Sequence, residues 1–175
     1  MTSGKTNKYL TLSLLSLIII GTALYGLLTH TFPTPAANTH FKTITNKQVS
    51  LKQLQGKVVL VTFWASNCPS CLKEIPHLIS LYNDYHQRGL ELFAIAMRYD
   101  RPNYVVSTSK SYQIPYDIVL DLRGELATAF GDVSLTPTTL LINPNGEIIY
   151  QNTGIFDLQA MQTLIESLLP IQGNK

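Results

Sequence analysis

Cys68 and Cys71 stand three residues apart and are the only two cysteines among 175 residues. At that spacing two sulfurs can alternate between a dithiol and a small-loop disulfide. The chemistry this suits is thiol–disulfide exchange. One thiolate attacks a partner's disulfide, and the second sulfur resolves the mixed disulfide that results. The attacking form is the thiolate, so the motif needs surroundings that favour an anionic sulfur. Pro69 suits the first position of a helix, where its missing N–H costs nothing. Cys68 then sits at a helix N-terminus, where free N–H groups and the positive dipole end lower its pKa. Cys71, about one turn on, lies inside the helix and is placed to resolve. Ser70 adds a weak hydrogen-bond donor beside Cys68. The competing reading is a permanent structural disulfide. Chain entropy disfavours it as a staple, because so small a loop gains about 2 kcal/mol against about 3 for a 15-residue loop. Two cysteines are also too few for a zinc site, and His30, His40, His77 and His86 form no H-x₃₋₅-H pair.

These residues need a strand and a helix to hold them. Residues 57–65 (KVVLVTFWA) are β-branched and aromatic with little alternation, which reads as a strand buried on both faces. From Pro69 a helix follows, with Ile75, Leu78, Ile79 and Tyr82 spaced to make one apolar face. Before the strand, residues 41–44 and 48–51 flank Thr45-Asn46-Lys47 as a small hairpin. After Gly89, residues 90–97 form a strand, 101–113 a helix begun at Pro102, 117–121 a short strand and 123–130 a short helix. Residues 139–143 and 147–151 pair around Pro144-Asn145-Gly146, a turn sequence. Asp157 caps a last helix with Leu158, Met161, Ile165 and Leu168 on one face. Crossovers followed by a terminal hairpin and helix predict an α/β fold with a mixed central sheet flanked by helices.

The N-terminal segment sets the compartment. Residues 9–28 (YLTLSLLSLIIIGTALYGLL) carry no charge, enough for one transmembrane helix. Lys5 and Lys8 precede it, and the next basic residue is Lys42. The positive-inside bias leaves residues 1–8 in the cytoplasm and exports the rest. Residues 29–40 are polar with two prolines and read as a tether, and 41–175 as one domain. A cleaved signal peptide is the alternative. Its apolar region would be shorter and followed by a small-x-small site, for which 35–37 is a poor candidate. Formal charge is +2, from 13 basic and 11 acidic residues without any basic run, so nothing favours nucleic acid as a partner.

The segment VLVTFWASNCPSCLKEIP resembles the active-site stretch of thioredoxin-like proteins, above all the bacterial TlpA/ResA-like group. The resemblance spans about residues 41–171. It implies a thioredoxin-like fold with a central insert over the tyrosine-rich segment 98–121, read here as packing. It implies Cys68 as nucleophile and Cys71 as resolving cysteine, with their disulfide as the redox group and no other cofactor or metal. Phe63 and Trp64 match the family's Phe-Trp pair, with Trp64 supporting the site or simply filling the core. Pro76 matches its helix proline. Leu135-Thr136-Pro137-Thr138-Thr139 resembles the family's cis-proline loop, in which Thr136 pairs with an extended substrate strand. Composition alone would make Pro137 trans.

Two departures stand out. Thr62 replaces the buried aspartate of cytoplasmic thioredoxins. Glu74 then becomes the candidate that moves the Cys71 proton, with a solvated first-turn acid as its alternative. Asn67 replaces the usual aromatic before the first cysteine and removes an apolar wall. His77 and His86 read as solvated. The implied activity is disulfide reduction in exported proteins, by a monomer anchored in the bacterial inner membrane with its domain in the periplasm, recharged by a membrane thiol donor. The Cys-Pro-x-Cys pattern leaves a thiol oxidase or isomerase open. A Sco-like copper chaperone is disfavoured by the absence of histidine after His86. A peroxidase is disfavoured because the Pro-x-x-x-Thr/Ser-x-x-Cys signature is missing around Cys68.

Overall fold

The structure is a computed structural model that describes residues 13–22 and 39–170. The chain divides into two compact units, Met1–Phe32 and Pro33–Lys175. In the first, residues 13–22 are helical (α1) and exposed throughout. No described helix is long and apolar enough to cross a membrane. The remainder of the apolar stretch 9–28 and the tether as far as residue 38 lie outside the described residues.

The second unit runs β1 (His40–Lys42), β2 (Gln48–Ser50), β3 (Val58–Trp64), α2 (Pro69–Tyr85), β4 (Leu90–Ala96), α3 (Pro102–Ser111), β5 (Asp117–Leu120), α4 (Glu125–Ala129), β6 (Thr138–Ile142), β7 (Ile148–Thr153) and α5 (Leu158–Leu168). Five strands form one sheet in the order β5-β4-β3-β6-β7. β3, β4 and β5 are parallel, whereas β6 is antiparallel to both β3 and β7. β1 and β2 make a separate hairpin whose end bridges Thr43 to Val119.

The central strand explains its own composition. All seven residues of β3 are buried. Val58, Leu60 and Trp64 face one core layer, with Ile75, Leu78, Leu81, Met161 and Ile165. Val59, Val61 and Phe63 face the other, with Phe41, Phe93, Phe130 and Leu140. A strand covered on both faces has no solvent side, so polar alternation disappears.

Helix α2 packs its expected apolar face, Ile75, Leu78, Ile79 and Tyr82, against one core layer. Cys71, Glu74, Ile75, Leu78, Leu81 and Tyr85 are inside, while Ile79 and Tyr82 sit half-buried at the flank. An acid, Glu74, lies near the middle of the covered stripe. The tyrosines of 98–121 divide differently from expectation. Tyr116 is buried, but Tyr99, Tyr104 and Tyr112 are exposed. Nor are the two histidines on and after α2 simply solvated. His86 Nδ1 pairs with the Leu90 carbonyl at 3.0 Å and its ring stacks on Tyr82, and the His77 ring lies against Phe156.

Candidate active site

The end of β3 passes into a tight turn closed by Cys68 N–H donating to the Ala65 carbonyl at 3.1 Å. Helix α2 starts immediately after it. Cys68 is extended at the N-cap, Pro69 occupies the first turn, and the Cys68 sulfur accepts from Cys71 N–H at 3.2 Å. A side-chain acceptor at this position satisfies one of the helix's free donors. The two sulfurs are joined as a disulfide, with Cα atoms 5.2 Å apart. Cys68 is half-buried and Cys71 only 2% exposed. A partner's sulfur therefore has access to Cys68, and Cys71 is shielded. Ser70 Oγ lies 3.3 Å from the Cys68 sulfur. Asn67 and Pro69 are exposed around the turn.

The second half of the site comes from the neighbouring strand. β6 pairs with β3 in the register Phe63 to Thr138 and Thr62 to Thr139. The segment before β6 is thereby brought beside the cysteine turn. The Thr136–Pro137 bond is cis. Pro137 is buried, and the Thr136 carbonyl oxygen lies 3.7 Å from the Cys68 sulfur. Thr138 Oγ1 donates to the Leu135 carbonyl at 2.8 Å and so ties the loop to its own strand.

Beneath the disulfide, Glu74 is 1% exposed. Phe156 N–H donates to its Oε1 at 3.3 Å, and Thr139 Oγ1 reaches Oε2 at 3.5 Å. Thr139 Oγ1 also lies 3.1 Å from Thr62 Oγ1, so Thr62 joins a hydroxyl pair beneath the carboxylate. Burial pushes the Glu74 carboxyl up to about 7, partly opposed by the bonds from Phe156, Thr139 and Thr62. Glu74 and Cys71 line one cavity of about 10 Å³, together with Trp64, Thr62, Ile75, Leu78, Ala94, Ile114 and Tyr116. That is about the space of a single water and far too small for a substrate. The cavity lies on the buried Cys71 side of the disulfide, whereas the Thr136 carbonyl lies against the half-buried Cys68 sulfur. Burial, then the Glu74 charge, raises the Tyr116 phenol as well.

The structure thus brings together Trp64, Cys68, Ser70, Cys71, Glu74, Thr136 and Pro137. Pro76 stands apart, exposed within α2. Sequence reasoning missed Thr139 and Phe156, which hold Glu74 from far along the chain. It also missed Ser66, Tyr99 and Asp100. The one available signal for Thr139 was two polar residues, Thr138 and Thr139, opening an otherwise apolar strand.

Known proteins resemble this chain in sequence and fold. A model of the AhpC/TSA family matches residues 32–151. The thiol-disulfide oxidoreductase ResA of Halalkalibacterium halodurans is 32% identical over 136 residues, covering 77% of this chain and 76% of that protein. A thioredoxin-family thiol:disulfide interchange protein of Chlorobium tepidum superposes with a TM-score of 0.70 at 26% identity, over 78% of this chain and 96% of that one. StoA of Bacillus subtilis superposes at 0.65 and 27% identity, over 75% and 97%. A thioredoxin-like sheet, a cysteine pair at the start of its first helix and these matches converge: the chain belongs to the AhpC/TSA family, among its ResA-like thiol–disulfide oxidoreductases.

Proposed function

We propose that this chain reduces disulfides of exported proteins from a membrane anchor formed by residues 9–28, with the Cys68–Cys71 pair as its redox group and no added cofactor. Cys68 as thiolate attacks a substrate disulfide. A new sulfur–sulfur bond forms to Cys68, and the other substrate sulfur leaves as a thiolate. Cys71 gives its proton to the Glu74 carboxylate and attacks the Cys68 sulfur. The second substrate thiolate is released, and the pair ends as the disulfide. Two electrons pass from the pair to the substrate, and a membrane thiol donor restores the dithiol. Thr136 pairs with the extended substrate chain. The observation that carries this reading is the Cys68 sulfur itself, which has a helix N–H at 3.2 Å on one side and the Thr136 carbonyl at 3.7 Å on the other.

The test is a redox titration of the full-length chain against dithiothreitol and glutathione. Trp64 fluorescence is the probe, since the single tryptophan lines the Cys71 cavity. A midpoint at about −270 mV or lower is expected of a reductase. A pair that stays oxidised until the chain unfolds would mean a structural disulfide and no catalysis. One observation favours a second reading, a thiol oxidase or isomerase. The Ser70 hydroxyl, 3.3 Å from the Cys68 sulfur, can donate to a thiolate and stabilise the reduced form. That reading takes over if the midpoint lies at about −120 to −180 mV.

A further inference from the structure

The turn between β4 and α3 touches both halves of the site. Asp100 accepts two hydrogen bonds from Ser66, from N–H at 2.5 Å and from Oγ at 2.7 Å. Ser66 lies inside the cysteine turn, where the turn's closing bond joins Cys68 to Ala65 and leaves the Ser66 N–H to find another acceptor. The residue before Asp100 reaches the other way. Tyr99 Oη lies 3.3 Å from Thr136 Oγ1. The bracket is itself fixed to the strand that delivers Cys68, because Met97 N–H donates to the Trp64 carbonyl at 3.0 Å and Asp100 N–H to Met97 O at 2.9 Å.

We propose that Asp100 and Tyr99 are positioning residues for disulfide exchange: from one rigid turn they brace the cysteine turn and the Thr136 loop against each other, and so set how a substrate strand meets the Cys68 sulfur. This rests on Cys68 being the attacking sulfur. The contacts close a ring, from Cys68 through its turn to Ser66, across to Asp100 and Tyr99, on to Thr136, and back over the 3.7 Å gap to Cys68. Bonds to an ionised acceptor are shorter and stronger than neutral ones, so the Asp100 side is the firm anchor. Tyr99 contributes a neutral hydroxyl contact to the substrate loop. The bracket adds little to the core, since Tyr99 is 56% exposed and Asp100 half-buried. Its loss should register in exchange kinetics far more than in folding.

The experiment uses the purified full-length chain and the variants Asp100→Ala, Asp100→Asn, Tyr99→Phe and Cys68→Ser. Each is assayed for reduction of a disulfide-linked extended peptide dimer and of 2-hydroxyethyl disulfide, with melting temperature measured alongside. Asp100→Ala should slow reduction roughly 10- to 100-fold, the scale of a misplaced reacting group. Asp100→Asn keeps one acceptor and should recover part of that loss. Tyr99→Phe removes one neutral hydrogen bond and should lose roughly threefold. That loss should fall mainly on KM, and should be larger for the peptide, which engages Thr136, than for the small disulfide. Rates within about twofold of the parent in all three, which is below the net value of one hydrogen bond, would overturn the proposal. So would a loss that follows melting temperature with Asp100→Asn no better than Asp100→Ala. If Asp100→Ala does not fold, Asp100→Asn and Tyr99→Phe decide the matter. Activity surviving in Cys68→Ser would instead overturn the reading of the nucleophile on which the bracket depends.

Discussion

Glu74 is held away from water by Phe156 and the Thr139–Thr62 pair, and its behaviour with pH follows from that. In the unfolded chain the carboxyl ionises near 4.5, and in the folded one near 7. Between those values the native state holds a proton that the unfolded state has lost, so stability falls as pH rises and stays lower above 7. At 1.36 kcal/mol for each pH unit, the gap amounts to about 3 kcal/mol. Glu74→Gln removes this dependence. Its denaturation free energy relative to the parent should improve between pH 5 and pH 7 and level off above, by up to about 3 kcal/mol in all. The same change removes the proposed acceptor of the Cys71 proton. The parent's exchange rate should climb through pH about 7, where Glu74 becomes a carboxylate, and the variant's should lose that inflection. A variant whose rate profile overlays the parent's would show that the proton leaves Cys71 by another route.

Among the described elements, the five-residue helix α4 is tied down at its start by one buried acid. Asp121 is 4% exposed and accepts from Leu126 N–H at 3.1 Å and from Ala127 N–H at 2.8 Å, at the start of α4. Five residues cannot hold a helix by propensity, so this carboxylate seats Leu126 and Phe130 in the core layer of Val59, Val61 and Phe63. Asp121→Ala should cost about 2–3 kcal/mol in urea denaturation, the value of hydrogen bonds to a charged group lost from a buried cap. A loss below about 0.5 kcal/mol, that of a surface substitution, would show that packing alone seats α4. How far the elements could be read in advance differs for the same kind of reason. β3 was legible because burial on both faces leaves a continuous apolar run. The turn before α2 was legible because Cys-Pro at a helix start has a local explanation. The apolar face of α2 was legible from its spacing, but apolar periodicity alone does not place Glu74 inside. What keeps Glu74 there is a backbone N–H 82 residues further on, and no local pattern signals that. The cis form of Pro137 came from family resemblance, since nothing in its immediate neighbours demands it. Asp100 and Ser66 are ordinary loop residues until the β3–β4 register brings them together.

For the whole molecule, the proposed anchor makes a prediction independent of the chemistry. The full chain should stay with membranes through an alkaline carbonate wash, and a chain lacking residues 1–28 should wash off. A full-length species in the soluble fraction would remove the anchor from the account, and a soluble species shortened near residue 37 would indicate a cleaved signal peptide. The anchor and the cysteines lie early in the chain, but the site is completed late. The register of β3 with β6 places Thr136, Pro137 and Thr139 beside and beneath sulfurs some seventy positions upstream. An isolated peptide copying Val58–Tyr85 would carry both cysteines, Pro69 and Glu74. It would lack the loop, the hydroxyl and the covering segment that give those groups their surroundings. If those surroundings set the reactivity, as proposed, its sulfurs should act as those of an ordinary small dithiol, and a nascent chain paused before the last strands should hold its cysteines without yet being a catalyst.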